Sequence, residues 1–465
     1  MLPPAGDGAV AAAGAACYIP RAMTDSQASA PKTGAPGEAP RRAAFDVLRQ
    51  VLRRGSDLEG AIAHSPRWQQ LGARDKAFAR QLAATVLRRL GQIDAAIAAC
   101  LDKPLKAKLN AVQDLLRLGA AQVLFMEVAA HAAVGETVGL ATGVRVGPHK
   151  GLLNAVLRRL AREGLDVLGE HDPAALNTPD WLWRRWTATY GEATARAIAE
   201  QHLREPPLDL SVVDPDQRDA WAAKLGATVL PGGTLRLPPG TGDVRRLPGY
   251  DAGAWWVQDA AAALPVRLLG DVADREVVDL CAAPGGKTAQ LAAAGARVLA
   301  VDRSVERLQQ LVGNLERLSL AAATVAAEVQ DWQPPQQPET ILVDAPCTAT
   351  GTLRRHPDIA RLKQPADVPF MADLQAELLD AAAQLLAPGG TLVYAVCSLE
   401  PEEGPERIAA LLEARGEMSR APFAPEEIPG FSGAVTAEGD LRTLPHHWAE
   451  SGGMDGFYAC RLRKA

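Results

Sequence analysis

Three stretches of the chain carry an apolar, partly β-branched run up to residues that can do chemistry. One reads Ile341-Leu342-Val343-Asp344-Ala345-Pro346-Cys347-Thr348, and another Gly390-Thr391-Leu392-Val393-Tyr394-Ala395-Val396-Cys397-Ser398. The third, Val277-Val278-Asp279-Leu280-Cys281, runs into Ala282-Ala283-Pro284-Gly285-Gly286-Lys287-Thr288. Buried parallel strands read as continuous apolar runs, and ligands collect at their carboxyl ends. The pattern predicts one site made from three strand ends. A lone cysteine there is more often core than catalyst, but two on neighbouring strands, one behind Asp-Ala-Pro, reverse that preference. A thiolate adding to carbon 6 of a cytosine makes carbon 5 enamine-like, able to take a methyl group, lose its proton and expel the thiol. A free thiol with a pKa of about 8.5 is mostly protonated at neutral pH, so such a site must activate it. Asp344 could bond the Watson–Crick edge and protonate the ring nitrogen, a task for a partly desolvated carboxyl of raised pKa.

The glycine turn narrows the ligand. It matches neither Gly-x-Gly-x-x-Gly nor the phosphate-loop pattern, and Pro284 removes an amide from it. The next strand ends in Asp302, placed to accept hydrogen bonds from a ribose diol. A ribose to hold and no phosphates to cradle suit S-adenosylmethionine; the competing reading is a dehydrogenase-like or inactive Rossmann domain.

The elements that must position these residues follow from Ala254 onward as strand–helix alternation. Strands are predicted over Val277–Ala282, Arg297–Asp302, Thr324–Val329, Thr340–Asp344 and Thr391–Val396, with helices over Val305–Leu318, Ala372–Leu386 and Pro401–Leu412. That is an α/β, Rossmann-like domain over 254–465, closed by a strand at Phe457–Leu462. Residues 40–170 read as an all-helical domain, with breaks at Gly55, Gly91, Pro104 and Gly147-Pro148. Residues 171–253 read as a small α+β region whose Trp181, Trp183 and Trp186 are packing rather than stacking platforms. Residues 1–39, rich in Ala, Gly, Pro and Ser, read as a disordered tail. Ala9 to Ala16 is too weakly hydrophobic for a signal peptide, and Met23 offers an alternative start.

Charge divides the chain. The net charge is -6, yet 20 Lys/Arg face 11 Asp/Glu between Arg41 and Asp166, so one domain is the natural face for a polyanion. Arg88-Arg89 and Arg158-Arg159, with neighbouring lysines, make the expected RNA surface, and Arg354-Arg355 behind the catalytic loop a grip on the RNA backbone. The six cysteines are sparse, with no zinc-ligand spacing, which points to a reducing cytoplasm and no metal. No apolar run is long enough to span a bilayer.

Asp279–Thr288, Asp344–Asp358 (DAPCTATGTLRRHPD) and Gly389–Glu403 (GGTLVYAVCSLEPEE) resemble the signature motifs of the Sun/NOL/NOP RNA cytosine-5 methyltransferases, from about Trp256 to the C-terminus. The helical region resembles the NusB-like RNA-binding domain. The resemblance implies a class I S-adenosylmethionine-dependent methyltransferase with Cys397 as nucleophile and Cys347 assisting release. It places the cofactor against Cys281, Ala282, Ala283, Pro284, Gly285, Gly286 and Lys287, with Asp302, Asp331 and Asp344 as side-chain contacts. The implied substrate is 16S ribosomal RNA, unassembled or partly assembled, met by a monomer. Ala349, Val396 and Gly404 stand where the family commonly has Gly, Thr and Asn. Two other readings stay open: the same chemistry on transfer RNA or another ribosomal site, and an idle NusB-like assembly factor.

Overall fold

The computed structural model describes residues 37–465. The expected disordered tail, with Cys17 and Met23, lies outside the described residues up to residue 36. Helix Glu38–Arg54 begins two residues ahead of the boundary expected at 40. It packs with helices Ala73–Arg88, Asn110–Phe125, Ala130–Gly143 and Lys150–Glu163 around a core that includes Leu48, Leu82, Leu115 and Leu157. A Cβ at Gly119 would lie 2.5 Å from Leu157, so glycine is what lets helices Asn110–Phe125 and Lys150–Glu163 approach. Gly91 does not end a helix, as expected, but sits inside Leu90–Ala99. Its missing Cβ makes room for the Leu176 carbonyl, which would be 1.7 Å away.

Next comes a four-stranded antiparallel sheet of β1 (Leu208–Val212), β2 (Thr228–Val229), β3 (Leu235–Leu237) and β4 (Trp255–Val257), in the order β2-β3-β1-β4. Strand β4 lies past the expected boundary at 253 because Trp255 pairs with Val212 and is fully buried in this sheet's own core. Helices Asp180–Tyr190 and Glu192–His202 pack instead against Leu353, Leu399 and Leu444. Trp186 is buried there, as a packing residue, and donates to Glu400 Oε1 at 3.2 Å.

The second sheet comprises β5 (Glu276–Leu280), β6 (Arg297–Asp302), β7 (Ala323–Ala326), β8 (Thr340–Asp344), β9 (Thr391–Val396), β10 (Met418–Arg420), β11 (Leu441–Thr443) and β12 (Phe457–Lys464). Its order is β10-β12-β9-β8-β5-β6-β7, with β11 beside β12. Strands β5 to β9 are parallel, and β12 is antiparallel to β9. The chain winds outward from β5 through β6 and β7, then returns to β8 and β9 on the other side. The switch point therefore lies at the carboxyl ends of β5 and β8, where open α/β sheets bind ligands. Helix Val305–Leu318 shows why these elements form. Ser304 Oγ caps the Arg307 amide at 3.2 Å, and Leu308, Leu311, Leu315 and Leu318 are buried along one face, each contributing about 2 kcal/mol of apolar burial.

Candidate active site

The two cysteines meet. Pairing of β8 with β9 sets Asp344 beside Ala395, and past the strand ends Cys347 Sγ lies 3.4 Å from Cys397 Sγ. Both side chains are half-buried. The hydrogen bond to Cys397 and burial push the Cys347 thiol well above its ordinary value, so it stays protonated at neutral pH. The Cys397 carbonyl accepts from the Gly351 amide at 3.0 Å, which fixes the end of β9 against the 349–356 turn.

At the end of β5 the turn has a left-handed residue on each side: Cys281 (φ 59°) and Gly285 (φ 102°). A Cβ at Gly285 would meet Leu311 Cγ at 2.8 Å, whereas one at Gly286 would meet nothing within 4 Å. The turn thus packs one side on helix Val305–Leu318 and leaves the other open, ahead of the unpaired amides that start helix Gly286–Ala293. Asp302 is buried at the end of β6 and accepts from the Ala283 and Ser304 amides at 3.1 and 2.9 Å. Asp331 is exposed just before the buried Trp332. Burial, with Asp302 and Asp344 near, pushes the Cys281 thiol up to about 12. Burial also pushes the Asp279 carboxyl up to about 7, although Thr288 donates to its Oδ2 at 2.6 Å; its buried Oδ1 has no partner. An open glycine cradle, free helix-start amides and a buried strand-end acid fit a ligand with a carboxylate and a ribose, as S-adenosylmethionine has.

Asp344 is not alone in an apolar pocket. Lys287 Nζ donates to its Oδ2 at 2.7 Å, joining the glycine turn to the cysteine loop. Lys287 itself is buried and sits 5.1 Å from the Phe457 ring centroid.

The arginines correct the sequence reading. Arg354 is 1% exposed and bonded to Asp259 and Asp455, so it cannot reach RNA. Arg355 donates to Asp455 Oδ2 at 2.8 Å, and its side chain is 32% exposed. Burial opposes its charge, but Asp455, Asp259 and Cys397 together hold the guanidinium above its ordinary value. Burial and Asp455 push Asp259 up to about 6. Four charges thus compensate one another under the catalytic turn, as buried ions must. Arg88 and Arg89 also turn inward. Arg88 donates to the Arg354 carbonyl at 2.8 Å and Arg89 to the Leu203 carbonyl at 3.0 Å. Arg88, with Leu58, whose amide donates to Asp358 Oδ2 at 2.9 Å, docks the helical bundle on the 354–358 segment, and Arg89 docks it on the end of helix Glu192–His202. Arg158 is exposed and Arg159 half-buried against Glu163, on the bundle's surface. Glu403 and Gln375, given no role from sequence, stand directly behind the thiols. No local signal marks Gln375, whose partners Pro346 and Glu403 lie 29 and 28 residues away, and Glu403 closes a quoted motif but its bonds to Thr348 span 55 residues.

Comparisons with known proteins agree with this layout. The models for 16S rRNA methyltransferase RsmB/F and for the NusB family match residues 266–463 and 38–162. The ribosomal RNA small subunit methyltransferase B of Vibrio cholerae serotype O1 is 36% identical over 442 residues, 91% of this chain and 97% of that protein. The crystal structure of PH0851 shares the fold, with a TM-score of 0.72 at 20% identity over 93% of this chain and all of that one. A methyltransferase homologue from Pyrococcus horikoshii matches with a TM-score of 0.51 at 25% identity, over 61% of this chain and 94% of its own. The chain therefore belongs to the RsmB/F family of S-adenosylmethionine-dependent 16S rRNA methyltransferases, with a NusB-family domain ahead of the catalytic one.

Proposed function

We propose that this enzyme methylates carbon 5 of a cytosine in 16S ribosomal RNA through a transient covalent bond to Cys397. The observation that carries the proposal is the thiol pair at 3.4 Å beside Asp344, on the sheet edge that also holds the glycine turn. A methyl acceptor that is already nucleophilic needs no thiol; carbon 5 of cytosine does. The same pair argues against an idle assembly factor.

The Cys397 thiolate adds to carbon 6, and the displaced electron pair reaches the ring nitrogen, which takes a proton across the Lys287–Asp344 bond. S-adenosylmethionine, held by the 281–287 turn, Asp302 and Asp331, supplies the electrophilic methyl group. The carbon-5 proton is then lost to water, carbon 5 and carbon 6 regain their double bond, the C6–S bond breaks with its electrons on sulfur, and the ring nitrogen returns its proton to the Lys287–Asp344 pair. Cys347, still protonated, donates to that departing sulfur. The basic helical bundle, with Arg158 and Arg159 on its surface, holds the RNA by its phosphates. Unassembled or partly assembled small-subunit RNA, met by a monomer, is the expected form of substrate.

Incubation with labelled S-adenosylmethionine and 16S RNA, followed by bisulfite sequencing, tests the reading. One protected cytosine is expected, absent with Cys397→Ala; protection that persists in that variant overturns it.

A further inference from the structure

Strand pairing brings the two cysteine loops together only as far as Asp344 beside Ala395. Beyond that β8 leaves the sheet and β9 runs one residue further, with Val396 beside Tyr458 of β12, so another device sets the distance between the sulfurs. Each cysteine is followed by a hydroxyl residue, Thr348 after Cys347 and Ser398 after Cys397. Both hydroxyls donate to one oxygen, Oε2 of Glu403. The other oxygen, Oε1, accepts from the Thr348 amide at 2.8 Å and from Gln375 Nε2 at 3.1 Å. Gln375 Nε2 also donates to the Pro346 carbonyl at 2.8 Å, on the other side of Cys347. The Tyr394 hydroxyl donates to the Glu403 carbonyl at 2.7 Å, which ties the arrangement to β9. Glu403, Thr348, Gln375 and Ser398 are each 0% exposed, so no bulk water can replace a lost partner.

A buried carboxylate is costly unless donors surround it, and here two loops and a helix supply four. We infer that Glu403 is the positioning residue of the thiol pair: by taking the hydroxyl next to each cysteine, it holds Cys347 and Cys397 at working distance. The purpose of that distance rests on the two-thiol reading proposed above, but the distance itself is readable without RNA. The grip is geometric rather than electrostatic. A glutamine in this place can accept at one atom and donate to the hydroxyl oxygens at the other, because a hydroxyl accepts as readily as it donates. Alanine can do neither.

Phenylarsine oxide reads the distance directly. Two neighbouring thiols give their protons to the oxide oxygen, which leaves as one water while two As–S bonds form without a change in oxidation state. In the full chain, mass spectrometry should find one bridged arsenical, absent in Cys347→Ser. Glu403→Gln should bridge at close to the wild-type rate. Glu403→Ala should bridge at least about tenfold more slowly, and its kcat should fall by about a hundredfold with covalent RNA adduct accumulating, the scale on which an ångström's misplacement acts. Alkylation of Cys397 by iodoacetamide in a Cys347→Ser background should not change with Glu403→Ala, which a general loss of structure would not allow. If Glu403→Ala does not yield folded protein, the double variant Thr348→Val/Ser398→Ala removes both hydroxyls and carries the same expectation. Wild-type bridging in Glu403→Ala or in that double variant overturns the inference. So does a Glu403→Gln variant as slow as alanine, because charge would then be the operative property. Intact bridging without any RNA adduct would instead count against the two-thiol chemistry and leave the clasp standing.

Discussion

Cys347 and Cys397 follow neighbouring parallel strands, both are half-buried, and each precedes a hydroxyl bonded to Glu403. Their surroundings differ. Arg355, itself pinned by Asp455, has Cys397 among its charge neighbours, whereas the bond to Cys397, burial and then the Glu403 carboxylate push the Cys347 thiol up. Burial and a neighbouring carboxylate both favour the protonated thiol. Two like residues at one strand edge are thereby made unlike: Cys347 keeps its proton, and in the mechanism proposed above Cys397 is the one that attacks carbon 6.

The largest effect should come from removing the attacking thiol. Cys397→Ala should lower methyl transfer by more than about 10⁴-fold, as loss of a covalent nucleophile does elsewhere, with S-adenosylmethionine binding retained by calorimetry. Removing the cation beside Cys397 should cost less. Arg355→Met should lower kcat by about tenfold, because the 349–356 turn loses its tie to Asp455, and Arg355→Lys should restore part of it. An unchanged kcat would show that this ion pair does not set the turn.

A smaller effect is expected at the third strand end, where no thiol attacks. Asp279 is pushed up to about 7 in the folded chain, and an unfolded aspartate titrates at about 3.9. Between those values the folded state binds the extra proton, so this group's contribution to stability is present at low pH and is lost as pH rises through 7. Asp279→Asn should raise the Tm at pH 8 and leave it unchanged at pH 4. Equal shifts at both pH values would show that the carboxyl's charge is not the cause.

The parallel strands were legible because their apolar runs end abruptly on polar residues: β6, β8 and β9 begin and end where the runs do. Helix Val305–Leu318 was legible for the same local reason, a serine cap and a leucine face. Two identical Arg-Arg pairs show where such reading stops. Arg158-Arg159 lies on a helix surface, whereas Arg354-Arg355 is compensated by Asp259 and Asp455, which lie about a hundred residues to either side. Nothing in a dipeptide reports an internal counter-ion. Gly91 misled in the same way, because the carbonyl that requires it belongs to Leu176. Asp344 was legible as a site residue, but its partner Lys287 stands 57 positions away, so a partly desolvated carboxyl was expected where an ion pair is found.

The division of labour between the two thiols is the central claim, and Cys347→Ala tests it most directly. Incubated with S-adenosylmethionine and 16S RNA, then run on a denaturing gel and digested for mass spectrometry, this variant should accumulate RNA bonded covalently to Cys397, with carbon 5 already methylated. Free methylated RNA and no adduct, or a bond to any other residue, would contradict it.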